Sequence, residues 1–275
     1  MHPPKLANRH IHVLLYADDA VLLSRTPIGL KRALKKFSQF SDTEHLLTNY
    51  QKTKILAFGK NPKIRRWELQ GHQLEQLTSF KYLGVVLQAS GTKTTHSSFI
   101  ADVGEKTAHG ILKFYRSQGG QYVPAALRLF KAKPLAQLVY GSFLGLPSSS
   151  FSQLERVHSK FLSALLQVPK CMPNSWVRLE TGMLRVEARI TILSIFKWLS
   201  GRLNPQGLLP LLFQDKFQSN WQKATLKSLG KLGLSPQSLL VMGLDRAKSL
   251  IKQRVTDIER QTFSKSTRFY FFRYY

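Results

Sequence analysis

Two adjacent carboxylates, Asp18 and Asp19, lie between two short apolar runs in residues 14–23. Each run is rich in β-forming residues and too short for an independent helix, so the pattern predicts a β-hairpin with the acids at its tip. Neighbouring carboxylates beside buried strands are costly unless cations neutralise them. Magnesium ions suit this position, because Mg²⁺ binds carboxylates together with substrate phosphates. A solvated acidic turn is the alternative, and the apolar runs on both sides argue against it.

The composition is strongly basic. The 275-residue chain has 41 Lys and Arg residues against 15 Asp and Glu residues, which gives a formal net charge of +26. Such a chain attracts polyanions, and nucleic-acid backbone is the usual one; a basic surface without a specific partner is the alternative. The single cysteine, Cys171, excludes an intramolecular disulfide and a thiolate zinc site.

No apolar run reaches the roughly 18 residues that a membrane-spanning helix needs. Residues 1–12 also lack the apolar core of a signal peptide. We therefore expect no membrane partner and a location in the nucleus or the cytoplasm.

A helix should begin directly after the acidic segment. Thr26 is a good N-cap residue and Pro27 suits the first helical position. Apolar residues follow at helical spacing, and a set of basic residues takes the opposite side. That basic set is Lys31, Arg32, Lys35 and Lys36. Two interpretations of it stay open, simple solvation and contact with nucleic acid.

Short β-rich runs follow, around residues 54–58, 67–69 and 82–87, with turn residues between them. From about residue 94 the apolar residues recur at helical spacing instead. Pro134 should kink or split the helical pattern of residues 124–140. The clearest stripe is Leu154, Val157, Phe161, Leu165 and Val168. A second long stripe is Ala247, Ile251, Val255 and Ile258.

These periodicities predict an α+β, mostly helical fold. The first domain should span residues 1–92 and contain the hairpin, one helix and short strands. The second should span residues 93–275 and be entirely helical. The boundary is expected near residues 88–96, where the spacing of apolar residues changes.

Three stretches in this order resemble the reverse transcriptase of non-LTR (LINE-type) retrotransposons. They are Tyr16-Ala17-Asp18-Asp19, then Asn49 with Lys52-Thr53-Lys54, then Phe80-Lys81-Tyr82-Leu83-Gly84-Val85. Weaker matches follow at Tyr140-Gly141, Leu154-Glu155-Arg156-Val157, Leu179-Glu180-Thr181-Gly182 and Glu187-Ala188-Arg189-Ile190. Group II intron maturases share the acidic hairpin and are the second candidate family.

The resemblance implies a partial palm in residues 1–92 and a helical thumb with a C-terminal extension in residues 93–275. It implies that Asp18 and Asp19 are catalytic and hold Mg²⁺, with Asp18 the better ligand. It places Lys52 and Lys54 near the incoming triphosphate; a charged, exposed strand edge is the alternative for this pair.

The same resemblance assigns the grip on the primer end to one short stretch, with RNA and DNA as the template and primer. The residues concerned are Lys81, Tyr82, Leu83 and Gly84. An ordinary buried strand is the alternative interpretation of this stretch.

The family's fingers and first palm half precede the hairpin, whereas only residues 1–13 precede the Leu14 run here. That region carries another metal-binding aspartate in the family. We therefore expect a C-terminal fragment of a reverse transcriptase with an incomplete two-metal site and no activity alone. A non-catalytic basic module that binds nucleic acid, and a decayed retroelement product without a selected role, are the competing hypotheses. Two interpretations of the aromatic segment 263–275 stay open, stacking on nucleic-acid bases and no role.

Overall fold

The computed structural model describes residues 3–7, 9–142, 145–169, 171–204, 206, 209–214 and 219–271; the side chains of Gln214 and of residues 264–271 are not described. The strands are β1 (Lys5–Leu6), β2 (Arg9–His10), β3 (Val13–Tyr16), β4 (Asp19–Leu22), β5 (Lys54–Leu56), β6 (Trp67–Leu69), β7 (His72–Leu77), β8 (Ser79–Tyr82) and β9 (Val85–Gln88). The helices are α1 (Pro27–Thr43), α2 (Thr94–Ser117), α3 (Val123–Ala132), α4 (Pro134–Leu138), α5 (Ser148–Leu166), α6 (Asn174–Thr181), α7 (Val186–Leu203), α8 (Leu209–Gln214), α9 (Asn220–Lys231), α10 (Pro236–Val241) and α11 (Leu244–Phe271).

The prediction of an α+β, mostly helical fold is confirmed, since helices dominate and the sheets have only two or three strands. The chain divides into two compact units. The N-terminal unit comprises the described residues up to Thr92 together with Gln206 and α8. The helical unit comprises the described residues from Lys93 to Asn204 and from Ser219 to Phe271.

The N-terminal unit has a small apolar core between α1 and a three-stranded sheet. In this sheet β7 is central, paired with β6 in an antiparallel and with β5 in a parallel arrangement. The buried core residues are Leu34, Ile55, Trp67, Leu69 and Leu74, and Leu22, Leu30, Phe37 and Tyr50 pack against them. Leu22 is the residue of this set that comes from β4.

Helix α1 begins as its sequence predicts. The Thr26 side chain accepts a hydrogen bond from the backbone N–H of Gly29 at 3.1 Å, and Pro27 is the first helical residue. Leu34 is buried, whereas Lys31, Arg32, Lys35 and Lys36 are exposed. The helix is amphipathic in the way that the spacing indicated.

The prediction of one strand over residues 82–87 is wrong. Tyr82 pairs with Val85, so Leu83 and Gly84 form the two-residue turn of the hairpin β8–β9. Both have a positive φ, 46° for Leu83 and 79° for Gly84, as a type I′ turn requires. A leucine in this turn hides the hairpin signal, because the usual first residue there is Asn, Asp or Gly.

The helical unit follows the local signals closely. Helix α2 begins at Thr94, and Pro134 separates α3 from α4. Leu154, Val157, Phe161 and Leu165 of α5 are all buried in the main apolar cluster. Across the ranges that the structure describes, no helix is both long and apolar enough to cross a bilayer.

One predicted core residue of α11 is misplaced. Ile258 is 37% exposed, and the buried residue at this level is Glu259, which is 2% exposed. The next buried residue after Val255 is therefore Glu259, four residues on, and not Ile258, three residues on. An apolar pattern could not reveal this, because the buried position carries a charge.

Candidate functional site

The acidic pair lies at the end of a tight β-hairpin. Tyr16 pairs with Asp19, so Ala17 and Asp18 form the two-residue turn between β3 and β4. Ala17 has a φ of 51°, in the left-handed region. The prediction of a hairpin at this position is confirmed, and Asp18 lies on its turn; Asp19 is instead the first residue of β4. The pattern thus located the tip to within one residue.

Both carboxylates are exposed, as are large parts of β3. Leu15 is 72% and Tyr16 63% exposed. The expectation of buried strands around the acids is therefore wrong, because neither β3 nor β4 has a buried residue, although Val21 and Leu22 of β4 are half-buried. The hairpin is a sheet of only two strands, and Leu22 of β4 is what attaches it to the core of the N-terminal unit.

Asp18 and Asp19 provide the hard carboxylate oxygens that Mg²⁺ prefers, so their chemistry fits two ligands of a magnesium site. Among the residues that the structure describes, no group of three or more His, Cys, Asp or Glu side chains is placed to hold a metal ion. Asp42, another acid of the N-terminal unit, accepts a hydrogen bond from the Gln70 side chain. The described residues therefore provide two adjacent carboxylates and no larger group of metal-binding side chains.

The two predicted triphosphate lysines have different surroundings. Lys52 lies exposed in a turn, and its backbone N–H donates to the Asn49 side chain at 3.0 Å. Lys54 lies on β5 directly opposite Glu75 of β7, and its Nζ is 2.8 Å from Glu75 Oε2. Because Glu75 neutralises Lys54, Lys52 presents the more available positive charge of the two.

The predicted primer-grip residues form the end of the hairpin β8–β9. Lys81 is exposed, Tyr82 is half-buried, and Leu83 and Gly84 are the turn. The alternative of a single buried strand is thus excluded for this stretch. Strand β8 also contacts β5, which places the strands of Lys81 and Lys54 near each other.

The predicted site residues do not share one sheet. The acids belong to the sheet β3–β4, Lys54 to the sheet of β5, β6 and β7, and Lys81 and Tyr82 to the sheet β8–β9. Within the N-terminal unit, α1 contacts both β4 and β6. Helix α1 therefore links the acidic hairpin to the larger sheet.

In the helical unit the structure reveals a charged network centred on Glu155 of α5. Its Oε1 accepts a hydrogen bond from Arg178 of α6 at 2.8 Å and lies 3.3 Å from His158 Nδ1. Its Oε2 accepts the backbone N–H of Val186, the first residue of α7, at 2.7 Å. One carboxylate thus joins three helices and satisfies an otherwise unpaired N–H at a helix start.

A second carboxylate extends this network to α11. Buried Glu259 accepts hydrogen bonds from Arg185 Nε, at 2.9 Å and 3.0 Å to its two oxygens. Arg178 also lies 5.4 Å from the ring centroid of Phe263 of α11. The sequence signal was the segment around Glu155, but its partners on other helices, Arg178 and Val186, are 23 and 31 residues away, so spacing alone could not find them.

These contacts shift two acid–base equilibria. Burial of Glu155 opposes its ionisation, but the hydrogen bond from His158, the N–H of Val186 and the charges of His158 and Arg178 outweigh burial and lower its pKa. The hydrogen bonds and charge of Glu259 raise the pKa of Arg185. Both groups are therefore held in their charged forms.

The lowered pKa of Glu155 predicts a pH dependence of stability. The ordinary pKa of a glutamate carboxyl group is 4.5. A carboxyl group whose pKa is lower in the folded state than in the unfolded state stabilises the fold at pH values above the unfolded-state pKa. This contribution is lost as the pH falls through the folded-state pKa. The free energy of unfolding of the wild type should therefore fall on acidification below 4.5. Denaturant unfolding of the wild type and of Glu155→Gln at a series of pH values measures this. The difference between the two proteins should shrink in acid, and a constant difference would contradict the assignment.

Comparison with known proteins gives one partial similarity. The chain is 32% identical over 113 residues to the Retrovirus-related Pol polyprotein from type-1 retrotransposable element R2 of Bradysia coprophila. The match covers 37% of this chain and 13% of that polyprotein. No family model matches the chain. The similarity supports a retrotransposon-related origin.

Proposed function

We propose that this retroelement-related chain is part of a non-LTR reverse transcriptase, an RNA-directed DNA polymerase. The observation that carries the proposal is the tight hairpin with Asp18 on its turn and Asp19 at the start of the return strand. The partial similarity to a retrotransposon polyprotein supports the same origin. RNA and DNA are then the partners, as template and primer.

In this proposal the N-terminal unit is the end of the palm and the helical unit is thumb-like with a C-terminal extension. The division of the chain between Thr92 and Lys93 supports two separate parts. Lys52 contacts the triphosphate, and the hairpin tip with Lys81, Tyr82, Leu83 and Gly84 contacts the primer end. Lys54 contributes less, because it is already paired with Glu75.

Asp18 and Asp19 would be the carboxylates that hold Mg²⁺. When bound, Mg²⁺ stabilises the negative charge on a transferred phosphoryl group. The role of the two side chains is to fix the ions beside the primer end, and their exposure leaves them accessible to substrate. A complete two-metal site needs further oxygen ligands in addition to this pair.

The 275 residues tested alone are expected not to polymerise. Positioning of reactants supplies roughly 7–11 kcal/mol of a barrier in well-oriented reactions, and among the described residues no group of three or more side chains is placed to hold a metal ion. The measurement is primer extension with poly(A), oligo(dT), thymidine triphosphate and Mg²⁺. The control is the double variant Asp18→Ala, Asp19→Ala.

Incorporation by the wild type above this control would contradict the expected inactivity and would show that the pair is sufficient. Activity that appears only when family fingers and first palm half are added as a separate chain would support the polymerase assignment. That activity should disappear again with the double variant.

A non-catalytic module that binds nucleic acid is the second candidate function. The observation that favours it is the net charge of +26 together with the pairing of Lys54 to Glu75, which withdraws a predicted substrate contact. It predicts binding of RNA and DNA that the double variant Asp18→Ala, Asp19→Ala retains, and no activity even after addition of the remaining polymerase parts.

A further inference from the structure

We propose that the exposed side of α1 binds the phosphate backbone of nucleic acid. This surface, the α1 basic face, consists of Lys31, Arg32, Lys35 and Lys36. The inference rests on the proposed function and identifies where the N-terminal unit takes up its polyanion. It does not involve Asp18 or Asp19.

The geometry of the helix gathers these four cations on one side. With 3.6 residues per turn, they fall within about 140° of the helix circumference and about 7.5 Å of its length. On the other side Leu34 is buried, and Leu30 and Phe37 pack against the core. Because that side is anchored, α1 cannot rotate its cations away from solvent.

The α1 basic face is not neutralised by neighbouring acids. No Asp or Glu occurs from residue 27 to residue 41. Within the described part of the chain, none of its four cations takes part in an ion pair. Lys54, in the same unit, is by contrast paired with Glu75.

In the absence of an anion, the four cations of the α1 basic face repel one another. Lys31 and Lys35, and likewise Arg32 and Lys36, are like charges four residues apart, a spacing that destabilises a helix. The four residues span about 7.5 Å of the helix axis, close to the Debye length at physiological salt, so they act together on a polyanion. Lysine and arginine contacts to phosphates position nucleic acid without reading its sequence.

The chain offers a matched control surface on α9 in the helical unit. Lys223, Lys227 and Lys231 are exposed and follow one another at intervals of four residues. The test variant is the triple Lys31→Gln, Lys35→Gln, Lys36→Gln, and the control variant is the triple Lys223→Gln, Lys227→Gln, Lys231→Gln. Both remove three lysine charges from exposed helical positions, so any effect of net charge alone is equal.

The probes are a labelled DNA duplex of random sequence and a labelled single-stranded RNA, each titrated over a series of salt concentrations. The test variant should bind at least about tenfold more weakly than the control variant at low salt. Its log–log salt slope should be reduced by about 2.7 on the duplex or about 2 on the single strand, from three lost phosphate contacts. A loss with either probe supports the inference and identifies the polymer.

Equal weakening in the two triple variants would overturn the inference, since net charge alone would then explain binding. A wild type that does not bind either probe at low salt would overturn the proposed function as well. The variant Lys31→Arg, Lys35→Arg, Lys36→Arg keeps the charges and should keep affinity and slope. Circular dichroism of the test variant should match the wild type, and its thermal midpoint should be no lower.

Discussion

Replacement of Gly141 by alanine is expected to destabilise the helical unit by about 2–5 kcal/mol. Gly141 has a φ of 70°, in the left-handed region, where a Cβ atom costs roughly 1–2 kcal/mol. That Cβ would also lie well inside van der Waals contact with Nε2 of His96, and overpacking a core costs typically about 1–3 kcal/mol. His96 cannot move aside easily, because it is fully buried and its Nε2 is 2.9 Å from the Tyr140 carbonyl oxygen.

Two other glycines of the helical unit distinguish the cost of backbone strain from the cost of the clash with His96. Gly182 has a φ of 60° and Gly110 lies within α2, and a Cβ at either position meets no atom within 4 Å. Gly182→Ala should cost about 1–2 kcal/mol from backbone strain alone, and Gly110→Ala should stabilise by about 0.5–1 kcal/mol. Denaturant unfolding followed by circular dichroism measures all three. A cost of Gly141→Ala no larger than that of Gly182→Ala would disprove the clash with His96.

A double-mutant cycle tests the same contact directly. His96→Ala removes the ring that the new Cβ would meet. In that background Gly141→Ala should cost less than in the wild type, by an interaction energy of about 0.5–3 kcal/mol. Strict additivity of the two substitutions would contradict the proposed close approach.

Replacement of Glu155 by glutamine is expected to destabilise the helical unit by about 3 kcal/mol, because loss of one partner leaves a buried charge unpaired. The charge in question is Arg178, whose residue is 9% exposed. Arg178 donates to Glu155, and its Nε has no hydrogen-bond partner. Glutamine can still accept one hydrogen bond but supplies no negative charge. Denaturant unfolding at neutral pH measures the loss.

The chain provides a matched exposed pair for comparison. Glu105 of α2 and Lys160 of α5 are 2.9 Å apart, with side chains 48% and 60% exposed. Glu105→Gln should cost less than about 1 kcal/mol, as exposed ion pairs do. Similar losses for the two Glu→Gln variants would show that burial of Glu155 does not matter. The double variant Glu155→Gln, Arg178→Met should recover part of the loss, because it removes both charges.

Local sequence signals predicted the elements whose causes lie within a few residues. Thr26 and Pro27 locate the start of α1, because the cap is made three residues away at Gly29. Pro134 locates the break between α3 and α4. The acid pair between two apolar runs locates the hairpin β3–β4. Each of these depends on backbone geometry that a short stretch determines by itself.

The remaining features depend on residues far apart in the sequence. Lys54 meets Glu75 only because β5 and β7 pair in parallel. Glu259 is buried only because Arg185 lies against it, 74 residues away. Exposure of Leu15 and Tyr16 depends on how many strands join the hairpin. The sequence pattern does not predict strand β7, because polar residues interrupt the alternation of apolar and polar residues there. The strand is defined by its pairing with the neighbouring strands β5 and β6.

The small core of the N-terminal unit affects how firmly the acid pair is held. Few buried apolar contacts and an exposed backbone are typical of segments that open by local unfolding and exchange their amide hydrogens early. The hairpin β3–β4 has these properties, since Leu22 is its link to that core. A partner that binds only the folded hairpin would slow the exchange of its amide hydrogens by mass action. Under the proposed function, the partner that uses the two carboxylates would then also hold the hairpin that carries them.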